Sequence, residues 1–255
     1  MYRTKRFRVV PPAELSRSIQ AASQALGGQV RRVFLADGDA MCLAPSRLLG
    51  ILEELGSSFP RLQRVGIYAN ARDVLAKSAV QLRELRDRKL GMVYMGLESG
   101  DDETLCAVSK GAAVAEIVEA VERAQAAGMR VSCMVLIGLG GRARTLEHAL
   151  GSAEAVNRMA PHYTALLTYT PTPGSELYES LCQGNFELPS PEQSVREIRQ
   201  FVANVRCQTH FSCNHASNYL PLTGTLPEDK DEMLAVLDAA IAGQIQLKPE
   251  HLRGL

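Results

Sequence analysis

The sequence predicts an α/β fold built on a parallel sheet with helices packed over it, and two observations predict it. Five short, nearly continuous apolar runs are spaced along the first two-thirds of the chain. Every gap between them is long enough to hold an amphipathic helix. Strands buried on both faces give such runs, whereas half-exposed strands alternate, and regular alternation of strand and helix is the pattern of parallel β/α units. Size permits it: 255 residues lie within the range of single-domain barrels. A chain this long buries roughly 70–75% of its unfolded surface without needing a metal or disulfide staple.

Leu15, Ile19, Ala22 and Leu26 recur at helical spacing and stop at Gly27-Gly28, which predicts a helix over about 11–26. Val33 to Ala36 is a buried strand ending in the loop Asp37-Gly38-Asp39. Leu48, Leu49, Leu52 and Leu55 form a helix entered through Pro45 and closed by Gly56. Val65 to Ala69 is the second strand, followed by a helix carrying Val74, Leu75, Leu82 and Leu85. Met92 to Leu97 is the third, with Val114, Ile117, Val118 and Val121 on a helix that ends at Gly128. Val131 to Ile137 is the fourth, before a helix over about 145–158. Ala165 to Tyr169 is the fifth, ended by Pro171 and Pro173. After Gly174 no further strand is expected, only an amphipathic helix over about 191–206 and another after Thr225 with Pro227 in its first turn. No Gly-, Ser- or Pro-rich linker interrupts the chain, so one domain over 1–255 is expected, with a barrel core of about 11–175 and a helical part of about 176–255. The series opens on a helix, whereas a parallel β/α fold needs a strand before it. Either that helix is an addition or a first strand lies upstream of Met1.

Composition removes several function classes. Lys plus Arg equals Asp plus Glu at 28 each, which argues against a strongly basic nucleic-acid binder. Aromatics are 5% with no Trp, a poor base-stacking surface. The longest apolar stretch, around Met134 to Ile137, falls far short of the about 18–20 residues of a membrane span. Arg3, Lys5, Arg6 and Arg8 precede no apolar segment, so no secretory signal is read. Cys42, Cys106, Cys133, Cys182, Cys207 and Cys213 are scattered, as suits reduced thiols in the cytoplasm. A soluble cytoplasmic protein is expected.

In parallel β/α folds ligands bind at the carboxyl ends of the strands. The residues there are Gly38 and Asp39, Asn70, Glu98 and Ser99, Gly138, Gly140 and Gly141, then Thr168 and Tyr169. They offer two carboxylates, an amide and close backbone approach, which suits a ligand with an ammonium group and hydroxyls. Each has a plainer alternative. Asp39 can serve its neighbouring loop, and Asn70 can cap the helix from Ala71. Ser99 with Asp102 fits a capping box, whereas Glu98 after an apolar strand is costly unless paired. Gly138 to Ala143 has the form of a dinucleotide fingerprint. It comes late in the sheet, and no acid for the ribose lies between Ala155 and Ser175. Cys207, His210, Cys213 and His215 make C-x2-H-x2-C-x-H, an unusual zinc spacing that a helix end with incidental polar residues explains as well.

These segments, in this order and at these strand ends, resemble the radical S-adenosylmethionine (radical SAM) superfamily over nearly the whole chain. The carriers are Val33 to Ala40, Val65 to Asn70, Tyr94 to Gly100 and Met134 to Gly141. The resemblance implies a partial (β/α)6 barrel, here lacking its first strand. It implies S-adenosylmethionine and a [4Fe-4S] cluster as cofactors, and an enzyme that cleaves the former to a 5′-deoxyadenosyl radical acting on an unknown substrate. By position Gly38 and Asp39 stand where the family holds the methionine amino group. Asn70 and Glu98 stand at the ribose or methionine end, with Ser99 a weaker case. Gly138 to Gly141, with Thr168 to Thr170, stand around the adenine.

The family's CxxxCxxC is absent from this sequence, although thiolates are what hold such a cluster. A truncated, inactive family member is therefore expected. The basic-aromatic stretch Tyr2 to Arg8 resembles the segment just beyond the family's cysteine loop, and Val33–Ala36 would become an uncovered edge strand open to self-association. The alternatives are a non-catalytic scaffold on a degenerate barrel and a nucleotide-dependent β/α enzyme. Asn214 to Leu220 resembles a C-terminal element of one subgroup, with a role either towards the substrate or in pinning the last helix. On the truncation reading, anaerobic iron–sulfur reconstitution gives a brown chromophore only with an upstream-extended chain.

Overall fold

The computed structural model of the chain describes residues 8–254, so most of the basic stretch Tyr2 to Arg8 lies outside the described residues. Two compact units result. One comprises the chain to Tyr94 with Arg123–Arg130; the other comprises Met95–Glu122 and the chain from Val131.

The first unit contains α1 (Pro12–Leu26), β1 (Arg32–Leu35), α2 (Pro45–Ser58), β2 (Arg64–Ala69), α3 (Ala71–Leu75), α4 (Ala79–Asp87) and the first half of β3 (Leu90–Glu98). β1 runs parallel to β2, with Val33 opposite Val65 and Leu35 opposite Ile67. Val65 and Ile67 are fully buried, as are Leu48, Leu82 and Leu85 on the helices. The single helix expected from Val74 to Leu85 is broken in two. Ser78 stops it and caps α4 in a reciprocal box with Gln81.

The second unit contains the end of β3, α5 (Asp102–Ala107), most of α6 (Val114–Ala126), β4 (Arg130–Ile137), α7 (Thr145–Met159), β5 (Tyr163–Thr168), α8 (Glu176–Cys182), α9 (Pro191–Asn204), β6 (Thr209–Ser212), β7 (Thr223–Leu226) and α10 (Lys230–Ile241). β4 pairs β5 in parallel from Ser132–Tyr163 to Ile137–Thr168. β6 joins β5 in parallel and β7 joins β6 antiparallel. Strand order matches chain order from β1 to β7, so the sheet is mostly parallel as expected, with β1 at one end of that order.

Three expectations need correction. The strands do not stop at Gly174: β6 and β7 add two, and the part after residue 176 is not purely helical. Each is four residues long with one large apolar side chain, Phe211 or Leu226, buried against the second unit. So short an alternation has no readable period. His210 therefore lies on a strand, not at a helix end. The last helix starts at Lys230 and not near Pro227, because Thr223 to Leu226 are committed to the β6 ladder.

One contact fixes the second unit closely. The loop after β3 meets α7 backbone to backbone at Gly100 and Gly151, where the Gly100 N–H donates to Ser152 Oγ at 2.9 Å. A Cβ on Gly100 would fall on the Gly151 carbonyl, and one on Gly151 would lie 2.5 Å from the Gly100 oxygen. Gly151→Ala is expected to cost about 2–3 kcal/mol through overpacking. Gly56→Ala in α2, where an added Cβ meets nothing within 4 Å, is expected to gain about 0.5–1 kcal/mol from helix propensity. Urea denaturation of the two variants reads both signs.

Candidate functional site

In the first unit, Asp37 and Gly38 take successive left-handed conformations at φ 66° and 74°. This tight turn ends β1 and delivers Asp39. Asn70 Nδ2 donates to Asp39 Oδ2 at 2.7 Å. Asn70 does stand at the N-cap position of α3, but its side chain makes no capping bond. Its amide is used on the aspartate, so the helix-cap alternative is set aside.

Asp39 Oδ1 is buried without a hydrogen-bond partner, and so is Asp73 Oδ2 on α3. Burial, and next the adjacent Asp73 carboxylate, push the Asp39 carboxyl up to about 6, against the pull of Asn70. Lys77, one turn beyond Asp73, is buried, and its Nζ donates to the Met41 carbonyl at 2.6 Å and the Asp73 carbonyl at 3.1 Å. Burial holds its ammonium below the usual lysine range. Two carboxyl groups thus face one cation, and one of them retains its proton most readily. A ligand ammonium at the free Oδ1 would displace that proton and leave the cluster neutral.

In the second unit, Glu98 ends β3 with φ 62°, a left-handed conformation uncommon for any residue but glycine. Its Oε1 accepts from Lys110 Nζ at 3.0 Å, and both side chains are largely buried. The carboxylate folds back over Gly96, where any Cβ would collide with it. Pairing thus offsets the burial cost. Ser99 is fully buried, and its Oγ accepts from the Asp101 N–H at 3.0 Å. The Ser99–Asp102 capping box does not form. Asp101 caps α5 instead, accepting from the Thr104 N–H, and is gripped by Arg144 through two bonds of 2.8 and 2.9 Å. That guanidinium holds Asp101 down to about 2.

The Gly138–Gly141 turn packs on the chain itself. A Cβ on Gly138 would meet Pro189 at 3.1 Å, and one on Gly141 would meet Phe186 at 2.6 Å. The Gly138 N–H donates to Glu197 Oε1 at 2.8 Å. The same oxygen lies 3.1 Å from His148 Nδ1, with both side chains completely buried. Gly140 sits against this histidine, where an added Cβ would be 3.2 Å from the His148 Cβ.

At the end of β5, Thr168 Oγ1 donates to Asn218 Oδ1 at 2.9 Å and the Thr168 N–H to Ser217 Oγ at 3.1 Å. Asn218 Nδ2 also reaches the Leu166 carbonyl at 2.8 Å. The Asn214–Leu220 stretch therefore pins the end of β5 and, through the Tyr219 hydroxyl donating to Glu250 at 2.8 Å, the final helical turn Glu250–Leu252. The Tyr169 N–H donates to the Ile137 carbonyl at 2.8 Å, and burial raises its phenol above the usual range.

The C-x2-H-x2-C-x-H residues do not converge. Cys213 is buried, its thiol pushed up to about 12 by desolvation. The Cys207 thiol donates to the Val156 carbonyl, and the His210 ring stacks on Tyr163. His215 turns to Ser217. Among the described residues no group of three or more His, Cys, Asp or Glu side chains is placed to hold a metal ion.

Sequence reasoning missed Asp73, Lys77, His148 and Glu197. The first two look like a surface i,i+4 pair. The others lie away from the strand ends where ligand groups were sought.

The raised Asp39 carboxyl carries a sign. Between its ordinary value of 3.8 and about 6, the folded state keeps a proton the unfolded chain has lost, so stability falls as pH rises through that window. The shift is worth at most about 3 kcal/mol, which solvent screening of this half-buried group reduces to about 1 kcal/mol. Asp39→Asn is expected to gain about that much over wild type between pH 4 and pH 7, measured by urea denaturation at both.

A family model described as the radical SAM superfamily matches residues 2–156. No curated protein matches the sequence. Among solved structures, coproporphyrinogen III oxidase (HemN) from Escherichia coli, a radical SAM enzyme, is similar at 18% identity and TM-score 0.59, over 74% of this chain and 43% of that one. Elp3 from Methanocaldococcus infernus is similar at 12% identity and TM-score 0.61, over 91% and 58%. Methylornithine synthase (PylB) is similar at 17% identity and TM-score 0.55, over 80% and 56%. The chain thus spans about half the length of the structures it matches. These likenesses establish the fold. Among the described residues no helix is long and apolar enough to cross a membrane.

Proposed function

The chain belongs to the radical SAM superfamily, and on that premise we propose that the strand ends of each unit, taken by itself, offer binding groups for S-adenosylmethionine, in an enzyme of that superfamily. The observation that carries the proposal is Asp39 Oδ1, a buried carboxyl oxygen set against the Asp73 carboxyl with no amide, hydroxyl or ammonium donor, beside an oxygen already fixed by Asn70. An unpaired buried acceptor is costly, and an ammonium group satisfies it with a charge-assisted bond. S-adenosylmethionine, when bound, supplies that ammonium together with a sulfonium centre whose carbon–sulfur bonds are open to cleavage.

The chain's own residues bind and orient. Asp39 gives up its proton and accepts the ammonium, and Asn70 keeps the carboxylate from rotating. The turn through Gly38 sets the height of Asp39 at the end of β1. In the second unit Glu98, shared with Lys110, offers a carboxylate to hydroxyl groups. The Gly138, Gly140 and Gly141 backbone and Thr168 to Tyr169 offer strand-end surface for a nucleobase. Ser99, facing inward onto Asp101, positions the loop that carries Glu98.

The iron–sulfur cluster of the superfamily does not fit these residues. Its thiolate ligands have no counterpart, since Cys133 and Cys213 are sealed in the core with thiols pushed up to about 12 and no described set of side chains converges. No step through a cluster is assigned to this chain.

Titration calorimetry of the 255-residue chain with S-adenosylmethionine tests the reading. Affinity is expected to tighten about tenfold from pH 5 to pH 7, as Asp39 ionises about a midpoint near 6. Asp39→Asn is expected to lose both that dependence and at least tenfold in affinity. A wild-type chain that does not bind, or that binds with no response to pH or to this substitution, sinks the assignment.

A further inference from the structure

Glu197 and His148 are charged or polar groups with no exposed surface, on α9 and α7, and nothing in the binding proposal uses them. A buried ionisable pair adds little stability over well-packed apolar residues, whereas each member alone is costly. Its connections show what it does. Glu197 Oε1 accepts from the Gly138 N–H at 2.8 Å, the first amide beyond β4. His148 Nε2 lies 3.2 Å from the Glu98 carbonyl, the last of β3. His148 Nδ1 lies 3.1 Å from Glu197 Oε1.

A carbonyl only accepts, so Nε2 carries a hydrogen. Nδ1 faces the Glu197 carboxylate oxygen without hydrogen-bonding to it. The pair thus stands between α7 and α9. It reaches one backbone acceptor and one backbone donor at two adjacent strand ends. The residue held on the β3 side is Glu98, in a left-handed conformation at φ 62° that is strained for any residue but glycine. Strain of this kind persists where surrounding contacts over-determine it.

We infer that His148 and Glu197 are positioning residues, a buried clamp that sets the Glu98 carbonyl and the Gly138 amide for ligand binding. The inference rests on the reading of these strand ends as an S-adenosylmethionine site. The clamp itself touches no ligand; it acts through the two backbone groups.

Two variants and one control test it. His148→Phe combined with Glu197→Leu replaces the pair with apolar volume, which tends to preserve or raise stability. Glu197→Gln keeps an acceptor for Gly138 but removes the carboxylate charge that faces the His148 ring. Val202→Ala, in the buried face of α9, lowers stability without touching either strand end. Thermal melting, amide hydrogen exchange over residues 97–100 and 138–142, and calorimetric titration with S-adenosylmethionine are measured on each. Both clamp variants are expected to show exchange at least tenfold faster in those two segments and affinity at least tenfold weaker. Val202→Ala is expected to lower the melting temperature while leaving exchange in the two segments and affinity within twofold of wild type.

Wild-type exchange and affinity in a folded clamp variant overturns the inference, as does an equal effect in Val202→Ala, which would make the pair ordinary core. If the double variant fails to fold, Glu197→Gln decides alone. If wild type itself does not bind S-adenosylmethionine, the binding proposal fails. Exchange then decides for the clamp by itself, and unchanged exchange ends it.

Discussion

A carboxylate without exposed surface must find its partners inside the protein, and much of the second unit is arranged around one oxygen of Glu197, while its Oε2 is left without a hydrogen-bond partner. Its Oε1 takes the Gly138 amide and faces the His148 ring, which in turn reaches the Glu98 carbonyl. Side chains on two helices thereby set two strand ends. The same rule operates at β5, where Asn218, with no exposure, meets both the Leu166 carbonyl and the Thr168 hydroxyl. Parallel strands end by presenting backbone groups that the ladder no longer uses, and buried ones require partners. Here those partners come from about fifty residues further along the chain.

The first unit handles charge differently. Asp39 is held on one oxygen and open on the other, with Asp73 close enough to keep a proton in the cluster and Lys77 spent on two carbonyls. The arrangement is stable only in part, which is what a receptor for a cation requires. A fully satisfied network would rigidify the turn and leave nothing to recognise. The candidate groups of the two units therefore contrast: Glu98 is paired with Lys110, whereas one oxygen of Asp39 has no donor.

How much of the fold was legible in the sequence depends on how strongly each signal is coded. The first five strands were readable because Val65 to Ala69 or Val131 to Ile137 are apolar runs between helix-length gaps. β6 and β7 were not, because Thr-His-Phe-Ser and Thr-Gly-Thr-Leu owe their structure to pairing with each other. The family was legible from residues at strand ends, and the match over 2–156 agrees; it favours neither a scaffold nor a dinucleotide enzyme. Asp39, Asn70 and Glu98 were found because a strand end is where ligand groups are sought. Glu197 was passed over because it adjoins a stripe of Val195, Ile198, Phe201 and Val202 on α9, where a charge is ordinarily solvated. Its burial comes from α7 packing across it, and no periodicity within one helix records a neighbour's position. Ser99 shows the opposite error. A pattern valid for a cap was present, but Asp101, two residues on, had the better geometry and the arginine.

The touching backbones at Gly100 and Gly151 also bear on how such a chain can diversify. Ordinarily a bulkier residue on one side of a packed interface is accommodated by trimming the other. Here neither side has an atom left to trim, so the two positions cannot trade volume, and substitution at either must displace a whole helix along with His148, which rides on it. Innovation in the second unit is thereby channelled away from the α7 face and towards segments such as Phe186 to Pro189, which cover the Gly138 turn with side chains that can be exchanged one at a time.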